Sequence, residues 1–179
     1  MHLRIVHVLQ DVRGGGPANA TELARHAAAH GADVVICAPG DLVALPPGVS
    51  GLQLSPKAIH RSEALFRASR RADLLHVHGT RAGAWSLPLL PMTASVVTLH
   101  GLHPLRRPAG PVYRFMGYSL VAALSATADA LICVSNSDSR LLQRMPLVSP
   151  TVRVVRNGVR SLLPDERLRA QTRQDLGIH

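Results

Sequence analysis

Seven short apolar runs, alternating with longer segments of helical period, constrain what this chain can fold into more than any other feature. Apolar runs without polar alternation mark strands covered on both faces, and the helical segments between them supply the crossovers that parallel strands need. The predicted strands are Leu3–Leu9, Asp33–Ala38, Leu52–Leu54, Leu74–His78, Ser95–Leu99, Ala130–Val134 and Val152–Val155. Together they predict an α/β fold with one open, doubly wound parallel sheet.

The helices follow from the same pattern. Pro17 suits a first helical position and Gly31 a C-terminal cap, with Ala20, Leu23, Ala24, Ala27 and Ala28 as the apolar stripe between them. Further helices are predicted over Arg61–Ala72, Ala82–Leu90 (broken or kinked by Pro88), Tyr113–Ala128 and Asn136–Gln143, the last capped by Asn136. Pro39–Gly51 and Gly101–Pro111 read as loops. A chain of 179 residues suffices for one such domain and not for two. With aromatic residues at only 3%, aliphatic and alanine packing must fill the core.

The net charge of +9 comes almost wholly from arginine, since Lys57 is the only lysine. The arginines are spread along the chain and no basic platform is interleaved with aromatics, so nucleic-acid recognition is not indicated. Cys37 and Cys133 sit inside apolar strands, where a thiol acts as a small hydrophobe, and no disulfide framework is indicated. The N-terminus runs straight into a strand without a signal-peptide pattern, and no segment has the roughly 20 apolar residues of a membrane span. A cytoplasmic location is expected.

Chemistry concentrates at the strand ends. Gly14-Gly15-Gly16 follows a strand and opens a helix, where free backbone N–H groups can cradle a phosphate or carboxylate. The spacing is not the Gly-x-Gly-x-x-Gly of dinucleotide binding, and no acidic residue ends the second strand. His76 and His78 share one strand face, while His100 and His103 follow the next predicted strand. His76 reads as a packed strand histidine, His78 and His100 as facing the crevice at the carboxyl ends of the strands, and His103 as a loop residue. Four imidazoles have the makings of a zinc site, but no Asp or Glu lies between Asp73 and Asp129, so no metal is assigned. Arg106, Arg107 and Arg114 adjoin Val112, Tyr113, Phe115 and Met116. The group is either an ordinary loop-to-helix junction or a patch for an anionic membrane surface, with about 1 kcal/mol per basic residue there.

The order of these pieces resembles the N-terminal domain of GT-B fold glycosyltransferases of family 4, the retaining, sugar-nucleotide-dependent enzymes. The likeness is carried by Leu3-Arg4-Ile5-Val6-His7-Val8, the turn Gly14-Gly15-Gly16, Asp73-Leu74-Leu75-His76-Val77-His78-Gly79, Val97-Thr98-Leu99-His100-Gly101, Ala128 to Ser135, and Val155-Arg156-Asn157-Gly158-Val159. It implies a Rossmann-like domain over residues 1–160, half of a GT-B architecture, with residues 161–179 leading towards a C-terminal donor domain. By resemblance, Gly15 and Gly16 lie near the donor diphosphate, and His100 contacts the transferred sugar or stabilises the departing phosphate. His78 and the loop after His100 shape the acceptor side, and Asn157 belongs to the domain-exit turn. Where the family commonly has Asp after Asn-Gly-Val, Arg160 stands here.

Those features imply that this chain holds no cofactor by itself, while the complete enzyme takes a sugar nucleotide. The expected partners are a sugar or lipid-linked sugar acceptor, a donor domain in cis or in trans, and a membrane face contacted peripherally. Leu168 and Leu176 on the final helix offer a route to self-association. The competing reading is a nucleotide- or phosphate-binding module without transferase activity.

Overall fold

A computed structural model describes residues 3–42, 44–102, 105, 110–148, 151–158 and 165–178. Its strands are β1 (Arg4–Leu9), β2 (Asp33–Pro39), β3 (Val49–Leu54), β4 (Leu74–His78), β5 (Ser95–Leu99), β6 (Ala130–Cys133) and β7 (Val152–Val154). The helices are α1 (Gly15–Ala29), α2 (Ala58–Ser69), α3 (Thr80–Ser86), α4 (Pro111–Thr127), α5 (Asn136–Gln143) and α6 (Glu166–Asp175), with a 3₁₀ turn at Leu90–Met92. The strands form one sheet in the order β3-β2-β1-β4-β5-β6-β7, and every pair is parallel. The chain runs outward from β1 through β2 to β3, then returns to the other side of β1 at β4. The gap between β1 and β4 is therefore the switch point, where open α/β sheets leave a crevice.

The two faces of the sheet are filled differently. On one, Val6, Val8, Leu75, Val77, Val97, Leu99, Leu131 and Cys133 join Leu65, Leu124 and Leu142 from α2, α4 and α5 in the larger apolar cluster. On the other, Ala20 and Ala24 of α1 pack on Leu9, Val34, Ile36 and Ala38. Alanines at those positions let α1 lie close to the sheet. The register pairs His7 with His76, Leu9 with His78 and His78 with Thr98, so these polar side chains fall on the face that carries α1. The middle of that face is thus built from histidine rather than hydrocarbon.

Several element ends differ from the sequence expectation. α1 begins at Gly15, so Pro17 is its third residue rather than its first; the missing N–H costs nothing there, because the first four amides of a helix have no intrahelical acceptor. α2 starts at Ala58 and α3 ends at Ser86, ahead of Pro88. β3 is longer than predicted and begins at Val49, adding Ser50 and Gly51, exposed residues of an edge strand that hid its start. The cap of α5 is Ser135 rather than Asn136: the Ser135 hydroxyl accepts from the Asp138 amide at 3.1 Å and donates to the Asp138 carboxylate at 2.9 Å.

Away from the crevice, one device recurs at the other edge of the sheet. The Asp73 carboxylate accepts from the Arg4 amide, and the Asp129 carboxylate from the Ser95 amide, each at 2.8 Å. Each Asp amide in turn donates to the carbonyl of that same partner residue. Asp129→Ala leaves a part-buried amide without its acceptor and should lower stability by about 1–3 kcal/mol in urea unfolding. Because the Arg4 amide is more exposed, Asp73→Ala should cost less.

Candidate functional site

Two glycines set the shape of the crevice. Gly14 (φ 100°, ψ 178°) and Gly79 (φ 88°, ψ 162°) each stand one residue before a helix, α1 and α3, in a region of backbone space open essentially to glycine alone. The chain thus leaves β1 and β4 in sharp turns that place both helix starts beside the switch point. A Cβ on Gly79 would lie 3.1 Å from the Gln10 side chain. Gly16 is required for a different reason: a Cβ there would stand 3.2 Å from the His100 ring, so the first turn of α1 rests directly on that imidazole. Around Gly14 and Gly15 a Cβ would meet nothing within 4 Å, which leaves their backbone open to the groove.

That groove, about 370 Å³, is lined by Leu9, Gln10, Arg13, Gly14, Gly15, Gly16, Pro17, His78, Gly79, His100 and Asn157. The structure therefore brings together Gly14, Gly15, Gly16, His78, His100 and Asn157. A second, adjoining cavity of about 630 Å³ runs from His100 along α4 and is lined by Gln10, Thr80, Arg81, Tyr113, Met116 and Leu120 among others. His100 borders both. Arg114 stands exposed on the first turn of α4, beside the exposed Val112, Tyr113, Phe115 and Met116, and lines neither cavity. His103, Arg106 and Arg107 lie outside the described residues.

Behind His100 the imidazoles form a line. Nε2 of His100 shares a hydrogen bond with Nδ1 of His78 at 3.1 Å, and Nε2 of His78 shares one with Nδ1 of His7 at 3.0 Å. His76 turns aside, its Nε2 paired with the Thr98 hydroxyl at 2.8 Å, and is packed within the strand as expected. His78 lines the groove from its floor, only 3% exposed and enclosed by neighbouring rings. His7 is equally hidden, at 2% exposed, and sequence reasoning gave it no role.

Burial sets the protonation of these rings. It lowers His7 from 6.5 to about 4, and it lowers His76 to about 3 with help from the neighbouring His7 and His100. His78 is pushed well below 6.5 by burial and then by the three rings around it, and burial also lowers His100. All four are neutral near pH 7, able both to donate and to accept. Nitrogens of His7, His76 and His78 do come within 4.8 Å of one another, the spacing of a possible cation site. Nε2 of His78 and Nδ1 of His7 are already joined to each other, however, and Nε2 of His76 to the Thr98 hydroxyl. The arrangement is that of a hydrogen-bonded line with His76 beside it.

Cys37 and Cys133 are buried free thiols, raised by desolvation to about 12 and about 11 respectively, the latter also by the Asp138 charge. Neither is a nucleophile at neutral pH.

A parallel seven-stranded sheet with a glycine turn and an imidazole meeting at its switch point defines a Rossmann-like half of the GT-B glycosyltransferase architecture. The sucrose-phosphate synthase of Thermosynechococcus elongatus superposes with a TM-score of 0.77 at 17% identity, over 96% of this chain and 52% of that one. Anabaena HepE, solved in complex with UDP-glucose, superposes at 0.75 with 15% identity, over 98% and 50%. A glycosyltransferase from Rickettsia africae gives 0.67 at 16% identity, again over 98% and 50%. The chain thus spans about half the length of each of these structures. No significant match exists among curated protein sequences. The chain belongs to Glycosyltransferase Family 4, whose model matches residues 13–161.

Proposed function

We propose that this chain is the acceptor-side half of a retaining, sugar-nucleotide-dependent glycosyltransferase, completed by a donor domain in cis or in trans and inactive by itself. The observation that carries this reading is the convergence of Gly14, Gly15, Gly16, His100 and Asn157 on one groove at the switch point. The open backbone of Gly14 and Gly15 suits the approach of a diphosphate. His100 is placed to contact the transferred sugar or to stabilise the departing phosphate as charge develops on it. The neighbouring cavity, polar at Gln10 and Arg81 and apolar at Tyr113, Met116 and Leu120, suits a sugar acceptor carrying a lipid. Polysaccharide biosynthesis in the cytoplasm is the kind of process this reading assigns to it.

The decisive assay measures release of nucleoside diphosphate from a sugar nucleotide by this chain alone and when joined to the donor domain encoded beside it. Turnover is expected only from the joined form. Turnover by the chain alone, or no donor domain encoded in frame or nearby, would reject the reading.

One specific feature favours peripheral membrane contact. Val112, Tyr113, Phe115 and Met116 are 50–71% exposed on the first turns of α4 beside Arg114, and no described helix is long and apolar enough to cross a membrane. Anionic liposomes should retain the chain better than neutral ones; equal retention would remove this element. Self-association through α6 rests on Leu168 and Leu176, 64% and 66% exposed, and sedimentation at rising concentration tests it.

A further inference from the structure

A neutral imidazole carries one N–H and one bare nitrogen. The two links in the line His100–His78–His7 use Nε2 of one ring and Nδ1 of the next, in the same sense each time. One proton fits in each link. Both links can therefore be satisfied in only two neutral arrangements: all three rings carry hydrogen on Nε2, or all three carry it on Nδ1. Any mixture sets two hydrogens or two lone pairs against each other at 3.0–3.1 Å.

The end of the line distinguishes the two arrangements. Nδ1 of His100 is buried and has no partner among the described residues. With hydrogen on Nδ1 it would be an orphaned buried N–H, a rare and costly state, whereas the Nε2–H arrangement leaves only a bare lone pair there. We propose that His7 is a positioning residue: by accepting from Nε2–H of His78 it holds that ring, and through it His100, in the Nε2–H tautomer, so that Nδ1 of His100 is kept as a bare nitrogen.

Burial keeps the rings neutral near pH 7, which the arrangement requires. Gly16 leaves the His100 ring its room on the other side, where a Cβ would stand 3.2 Å from it. The tautomer lock itself does not depend on the glycosyltransferase reading.

Long-range ¹H–¹⁵N correlation spectra of the labelled full chain at neutral pH report the tautomer of each ring. His7, His78 and His100 should all carry hydrogen on Nε2. In His7→Leu the acceptor is gone, so His78 should move its hydrogen to Nδ1, towards His100, and His100 should turn over to Nδ1–H. His7→Asn, whose side-chain amide reaches the place of the lost Nδ1, should restore the wild-type tautomers. A purely structural His7 would not shift the tautomer of His100, to which it makes no hydrogen bond of its own.

Unlike tautomers among the three wild-type rings, hydrogen on Nδ1 of wild-type His100, or an unchanged His100 in folded His7→Leu would each overturn the proposal. If His7→Leu does not fold, the wild-type spectrum and His7→Asn decide the matter. Matching tautomers in a protein that proves to lack transferase activity would uphold the lock and reject only the functional reading.

Discussion

Lowering the pH from 7 to about 5 should remove a large share of the folding stability of this protein. In the unfolded chain a histidine takes a proton near pH 6.5. In the fold, burial lowers His7 to about 4, His76 to about 3 and His78 well below 6.5. The sign follows from proton counting. Above pH 6.5 both states are neutral at these rings and nothing is lost; below it the unfolded state binds protons that the folded state refuses, so stability falls with pH until about 4, where the folded rings begin to titrate. At pH 5 His7 and His76 each contribute a loss of about 2 kcal/mol, and His78 adds to it in the same direction, against the roughly 5–15 kcal/mol that a domain has in all. Urea unfolding at pH 7, 6 and 5 should show the midpoint falling steeply across this window. His76→Val should flatten the slope by about one ring's share. A midpoint constant from pH 7 to 5 would mean that the rings are not held neutral in the fold.

The second large effect is expected at His100. In the two-domain enzyme that this reading implies, His100→Ala should lower kcat by about 10²–10³-fold, the usual cost of deleting one preorganised group that meets developing charge. KM should move little, because the groove keeps its glycine backbone. Gly16→Ala probes the same imidazole from the side. Its Cβ, at 3.2 Å from the ring, must push His100 aside by a few tenths of an ångström, and a loss of about tenfold in kcat is expected from misplacement alone. Initial-rate kinetics of both variants check this. If His100→Ala retains full kcat, the imidazole does not take part in transfer.

Much of this was legible in the sequence, for physical reasons that also explain the rest. The strand cores were readable because strands buried on both faces must be continuously apolar, and Gly14–Gly16 because a sharp exit from β1 demands residues without a side chain. β3 was only half visible: as an edge strand it keeps Ser50 and Gln53 outward and loses the apolar signal. Ser135 and Asn136 are both good caps, and one residue's difference in backbone geometry decided between them. His78 was assigned to the right place, and only its depth was hidden, because its neighbours in space come from β1 and from just past the carboxyl end of β5. His7 carried the least signal of all. A single histidine in Arg4-Ile5-Val6-His7-Val8-Leu9 looks like an ordinary polar interruption until β1 is set beside β4, when parity puts it on the same face as His76 and His78. The doubly wound order itself would have supplied that register.

The central claim is that one groove, made by the glycine turn and His100, is half of a nucleotide-sugar site. Titration of the ¹⁵N-labelled chain with a nucleoside diphosphate and its sugar conjugate tests it most directly. Shift changes should gather at the amides of Gly14, Gly15, Gly16, Gly79 and Gly101 and fail to saturate below millimolar ligand, as expected where the larger part of the site lies on another domain. Changes centred elsewhere, such as the hollow between Arg4, Asp33 and Glu63 at the opposite edge of the sheet, or saturation well below millimolar, would contradict it.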